Sequence, residues 1–114
     1  MQRGAVYYNE MLAGILEKHG PEDYRFIYDD NYKGNSTMPS ISVTLPKLEK
    51  VHRSRQLFSF FAGLLSEGIN KSIQCRLMRI DEEDDFTRLL KTAGEDTIGA
   101  ITVKEITDNK ETKE

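Results

Sequence analysis

The chain has 114 residues, 31% charged and 38% hydrophobic, with no tryptophan and a formal net charge of −3. That length suits one domain, which can bury about two thirds of its unfolded surface without disulfide or metal staples. The acidic balance speaks against a dedicated nucleic-acid binder, the lone Cys75 excludes an internal disulfide, and neither a membrane-length apolar run nor a signal-like N-terminus is present, so a soluble, cytoplasmic protein is expected.

In chain order, GAVYYN (4–9) and MLAGILEKH (11–19) read as strands meeting at a polar Asn9-Glu10 corner that can close a hairpin. Tyr7 and Tyr8 then point to opposite faces. Gly20-Pro21 breaks the chain. In YRFIYDD, Tyr24, Phe26 and Tyr28 share one face, with Arg25, Ile27 and Asp29 on the other. NYKGNSTMPS (31–40) is rich in turn formers and reads as a loop. ISVTLP places Ile41, Val43 and Leu45 on one face of a half-buried strand that Pro46 ends.

From Ser54, a candidate N-cap, the period becomes helical. Leu57, Phe58, Phe60, Phe61, Ala62, Leu64 and Leu65 cover an arc of roughly 200°, about twice what one core requires. Phe61, Leu65, Leu57 and Phe58 are expected to seal the core. Phe60 and Leu64 fall on the flank, either under a second helix or open to a partner. Gly68 suits the helix stop. Ile69, Ile73, Leu77 and Ile80 carry a second helix. Asp81 caps a third, with the acids that follow it against the helix's positive end; Phe86, Leu89, Leu90 and Ala93 form its stripe and Gly94 its stop. IGAITVKEI (98–106) reads as a closing strand. The polar tail TDNKETKE (107–114) is expected to be disordered and has the character of a terminus. The sum is one α+β domain over residues 1–106: a small, mainly antiparallel sheet of about five strands packed with about three helices.

The sequence shows little catalytic chemistry. It has no GxxxxGK[ST] or GxGxxG, and no HRD-type or DFG-type kinase motif. His19 and His52 lie far apart, one near a strand end and one in a loop, and with one cysteine they give no metal-ligand spacing. Asp81 to Asp85 lacks calcium-loop spacing. Cys75 has no adjacent histidine and reads as a small buried hydrophobe; Ser66 has no histidine placed to activate it. No catalytic residue, cofactor or metal is therefore expected. Arg53 and Arg55, with Lys47, Lys50 and His52 nearby, form a basic stretch ahead of the aromatic helix.

The order of these pieces resembles the N-terminal subdomain of HipA-type serine/threonine kinase toxins of bacteria. The resemblance rests on YYNEMLAGIL, PSISVTLP, LFSFFAGLLSEG and DFTRLLKTAGEDTIGAITV, and covers residues 4 to about 105. Ser66 stands where the family usually has proline, and Glu95 where an arginine is common; both concern loop contacts rather than the fold. In full-length members the subdomain precedes a larger kinase core that holds ATP, magnesium and the catalytic aspartate. In some operons the kinase is split, and a small separate protein of this kind acts as antitoxin.

The resemblance thus implies a non-catalytic regulatory subunit that binds a HipA-like kinase as its antitoxin. It leaves open a structural subunit that completes a split kinase without inhibiting it, and an excised N-terminal part of a full-length kinase. A DNA-binding antitoxin could join through the complex. Direct nucleic-acid binding is disfavoured by the net −3 charge, which lacks the electrostatic attraction such binding rests on. The partner surface is expected at the aromatic helix's end and the following loop, Ser66, Glu67, Gly68 and Asn70, with Phe60 and Leu64 on the flank and Arg53 and Arg55 in the basic lead-in. The open sheet face carrying Arg25, Ser42 and Thr44 is the fallback location.

Overall fold

The computed structural model describes residues 2–64, 76–77, 79, 84–92 and 100–106. Strands β1 (Gln2–Tyr8), β2 (Met11–Gly20), β3 (Asp23–Tyr28), β4 (Val51–Ser54) and β5 (Ile101–Ile106) form one sheet in the order β4-β3-β2-β1-β5. Every neighbouring pair is antiparallel. Helices α1 (Asp30–Lys33), α2 (Ser59–Ala62) and α3 (Asp85–Thr92) accompany it among the described residues. This is the expected α+β fold. No helix is long and apolar enough to cross a membrane among the described residues.

The β1–β2 hairpin closes at Asn9-Glu10 because Asn9 takes a left-handed conformation (φ 56°), which asparagine tolerates better than most residues. A bulge between Val6 and Tyr7 shifts the register. One face of the sheet is covered. Val6, Leu16, Phe26, Tyr28 and Val103 are buried there, in one cluster with Phe61 of α2 and Phe86, Leu89 and Leu90 of α3. Phe26 is the hub, 4.8 Å edge-on to Tyr28 and 5.7 Å from Phe61 between ring centroids. A Cβ at Gly14 would lie 2.4 Å from the Ile27 carbonyl oxygen and 2.7 Å from the Phe26 ring, so only bare backbone on β2 admits this arrangement.

Two tyrosines, Tyr28 of β3 and Tyr32 of α1, hold the long 34–50 loop in place. The Tyr28 hydroxyl donates to the Leu45 carbonyl and accepts from the Ile41 N–H at 3.1 Å. The Tyr32 hydroxyl donates to the Pro39 carbonyl at 2.6 Å. Lys47 Nζ donates to the carbonyls of Asn35 and Met38, both at 2.6 Å, and sits 5.5 Å from the Tyr32 ring centroid. Burial pushes the Tyr32 hydroxyl up to about 12, with Tyr28 and Tyr8 adding to the shift. Burial likewise raises Tyr28, against the hydrogen bonds its oxygen makes with Ile41 and Ser40.

Several sequence expectations are corrected. ISVTLP is a turn rather than a strand: Ile41 and Leu45 are buried, but Val43 between them is 95% exposed. Leu45 N–H bonds to Ser42 O, and the Ser42 hydroxyl accepts from Thr44 N–H, a local side-chain bond that competes with strand pairing. The fourth strand is instead Val51–Ser54, so His52 lies in a strand and not in a loop. Ser54 ends β4, its hydroxyl accepting from Gln56 N–H, and Phe58 occupies the N-cap position of α2 with no side-chain cap bond. The expected loop at 31–40 begins with α1, capped by Asp29. Asp84, rather than Asp81, caps α3 by accepting from Thr87 N–H at 3.1 Å and from the Thr87 hydroxyl at 2.8 Å. Of the second helix, Ile69, Ile73 and Ile80 lie outside the described residues, as do Leu65, Cys75, Asp81, Ala93, Gly94 and the 107–114 tail; Leu77 is 78% exposed.

Two outcomes follow from the core. Phe61→Ala removes a fully buried ring and is expected to cost about 3–5 kcal/mol in a denaturant titration; a variant as stable as wild type contradicts the packing. Above pH 10 the unfolded chain releases a phenol proton that folded Tyr32 keeps. Stability is therefore full below pH 10 and falls as pH rises toward about 12. Tyr32→Phe is expected to flatten that fall while costing about 1 kcal/mol at neutral pH through its lost hydrogen bond.

Candidate partner interface

The face of the sheet opposite the core is patterned in rows, because antiparallel register lines up one residue from each strand. Val51, Ile27, Ile15 and Ala5 are successive cross-strand partners from β4 to β1. The next row is Arg53, Arg25, Glu17 and Arg3. An apolar row beside a charged row is a surface able to take both burial and ion pairing from a partner.

The charges are unevenly satisfied. Arg25 grips Asp23 through two bonds, 3.1 and 3.0 Å, and these hold the Asp23 carboxyl below its ordinary range. Glu17 and His19 lie 2.6 Å apart. Arg53 sits directly opposite Arg25, a like-charge pairing that costs stability, and it has no ion pair among the described residues. Arg55 reaches Glu22 in the β2–β3 turn at 3.1 Å. Lys50 pairs with Asp30. His52 Nε2 donates to the Pro46 carbonyl at 2.9 Å, a structural role.

Exposed apolar side chains gather at the same edge. Val43, Leu48 and Val51 are 95%, 82% and 48% exposed. Residues 44–45, β4 and the 56–59 segment enclose a cleft of about 290 Å³ beside them, lined by His52, Arg53, Leu57 and Phe58 among others.

Of the residues expected at the interface, Arg53 and Arg55 therefore lie together at the β4 edge. Phe60 and Leu64 are half-buried against the core, Phe60 at 5.2 Å from the Phe61 ring. Ser66, Glu67, Gly68 and Asn70 lie outside the described residues. The fallback face holds Arg25, while Ser42 and Thr44 belong to the turn beside β4. Val51 and Leu48 were not singled out in the sequence. A short alternation in Val51-His52-Arg53-Ser54 was the only signal for Val51, and four residues are too few to separate a strand from a charged loop.

A profile of the HipA N-terminal domain family matches residues 4–104. The chain belongs to that family. A solved N-terminal domain of HipA toxin superposes with a TM-score of 0.71 at 29% identity, each chain covered to 95%. An uncharacterised protein of Haemophilus influenzae is 33% identical over 106 residues, 92% of this chain and 93% of that one. A Sinorhizobium fredii protein bearing a kinase designation, Y4mE, is 25% identical over 96 residues, which is 84% of this chain but 23% of that protein. The HipA N-terminal domain alone is matched, and the match does not extend to a kinase catalytic domain.

The Arg55–Glu22 pair provides a check on the geometry. Both side chains are largely exposed, 83% and 68%, so a double-mutant cycle with alanine at both positions is expected to give a coupling of about 0–1 kcal/mol that fades with added salt. A larger, salt-insensitive coupling would mean the pair is shielded from water.

Proposed function

We propose that this protein is a non-catalytic subunit that binds a HipA-like kinase and acts as its antitoxin. The observation that carries the reading is that the HipA N-terminal domain spans residues 4–104 of the 114-residue chain. The chain presents a surface of mixed apolar and basic character, and it has no recognisable phosphate loop. Partner contacts are proposed at Arg53, Arg55, Phe60, Leu64, Ser66, Glu67, Gly68 and Asn70. A cytoplasmic location belongs to the same reading, and a DNA-binding antitoxin would join through the kinase.

A second reading is favoured by the Sinorhizobium relative, in which the similar region is 23% of a longer protein with a kinase designation. In that reading the subunit completes a split kinase without inhibiting it, or corresponds to the N-terminal part of a full-length one.

Co-expression with a HipA-like kinase lacking its own N-terminal domain separates the two. The antitoxin reading expects co-purification, loss of kinase activity and restored growth. The structural reading expects co-purification with activity gained. Failure to co-purify overturns both. Glu67→Lys with Arg55→Glu is expected to leave the melting temperature nearly unchanged and weaken the complex severalfold, since rim charges act on association more than on folding. The purified chain alone is expected to turn over no ATP; turnover abolished by a point mutation in this chain would contradict the non-catalytic reading.

A further inference from the structure

We infer that the outer edge of β4 is a strand-addition site for an extended, acidic segment of a partner protein, with Arg53 taking a carboxylate of that segment. The inference deepens the binding-subunit reading and rests on it.

Backbone direction comes first. Tyr28 N–H donates to Lys50 O at 2.8 Å, which makes Tyr28 and Lys50 a hydrogen-bonded pair. Hydrogen-bonded and non-hydrogen-bonded pairs alternate along an antiparallel ladder. Ile27–Val51 and Arg25–Arg53 are therefore non-hydrogen-bonded pairs, and the N–H and C=O of Val51 and Arg53 point away from β3. β4 is the last strand of the sheet on this side, and these groups meet no hydrogen-bond partner among the described residues. Two outward N–H and two outward C=O groups, two residues apart, are what an added strand engages.

The side chains select the occupant. Val51 and Arg53 are themselves exposed and share the face opposite the core, so an added strand would set an apolar residue beside the first and an acid beside the second. Arg53 stands opposite Arg25, and the nearby Asp23 carboxylate, though it feels both charges, is hydrogen-bonded by Arg25, so an acid on the added strand would give Arg53 a bonded partner of its own. The segment 43–55 carries Lys47, Lys50, Arg53 and Arg55 against the single acid Glu49, in a chain of net charge −3. Val43 and Leu48 add exposed apolar surface, and the cleft beside His52, Leu57 and Phe58 has room for side chains on the strand's other face. A second copy of this edge is a poor occupant, since it would bring further arginines against Arg53; short, charged edge strands discourage self-pairing in this way.

The test uses the full chain and a short synthetic peptide alternating glutamate and valine. Amide hydrogen exchange is followed by NMR. The expected result is slowed exchange at Val51 and Arg53 on peptide addition, by about tenfold or more. Arg53→Glu, a lysine-for-glutamate peptide and a backbone N-methylated peptide are each expected to reduce affinity about tenfold. Val51→Pro removes one outward N–H without removing a ladder bond, and is expected to fold and bind weakly. Should that variant unfold, Arg53→Glu and the N-methylated peptide still decide. Unprotected Val51 and Arg53 amides at saturating peptide, equal binding of the lysine peptide, or indifference to N-methylation overturns the inference. A kinase complex that forms with these two amides unprotected overturns strand addition and leaves the binding-subunit reading standing. Protection by the peptide with no kinase bound does the reverse.

Discussion

A single buried phenol organises the half of the molecule that ends at β4. The Tyr28 hydroxyl ends β3's covered face and bonds both the Ile41 N–H and the Leu45 carbonyl, so the 41–45 turn is pinned to the sheet at both ends. Its ring packs between Phe26 and Tyr32, 4.8 and 6.0 Å away by centroid, and lies 6.0 Å from His52 of β4. Without that anchor the loop has few apolar residues of its own to hold it. Ile41 and Leu45 are buried because the turn is drawn inward, and Val43 is pushed outward for the same reason.

Among the described residues, the helices pack against one face of the sheet. The opposite face has a pattern of its own. It offers rows: apolar Val51, Ile27, Ile15 and Ala5 beside charged Arg53, Arg25, Glu17 and Arg3. The chain that carries these rows belongs to the HipA N-terminal domain family.

How much of this was legible depends on how far each local pattern governs its own backbone. The alternation Tyr24, Phe26, Tyr28 reads directly as a strand because burial on one face is repeated at period two. Ile41, Val43 and Leu45 show the same period yet form a turn, since Ser42 and Thr44 hydrogen-bond locally and a distant tyrosine supplies the deciding contacts. The mirror failure is VHRS, which pairs with β3 although only Val51 in it favours a strand and its alternation is too short to show one. Arg88 shows a further limit: it lies on the turn of α3 next to Leu89 and is 1% exposed, where a charged residue reads as solvent-facing. For the interface, Arg53 and Arg55 were legible as a basic cluster. The exposed valines and leucine were not, because an apolar residue in sequence announces burial rather than its absence.

The register of β1 with β5 sets Arg3 beside Ile106. The two ends of the domain therefore meet at one end of adjacent strands, so the polypeptide enters and leaves through a single doorway. That doorway lies on the far side of the sheet from β4, roughly 14–19 Å away at about 4.8 Å per strand. A neighbour joined directly to the start of β1 or the end of β5 would thus be suspended from one flank, and the opposite flank would keep its access to other molecules.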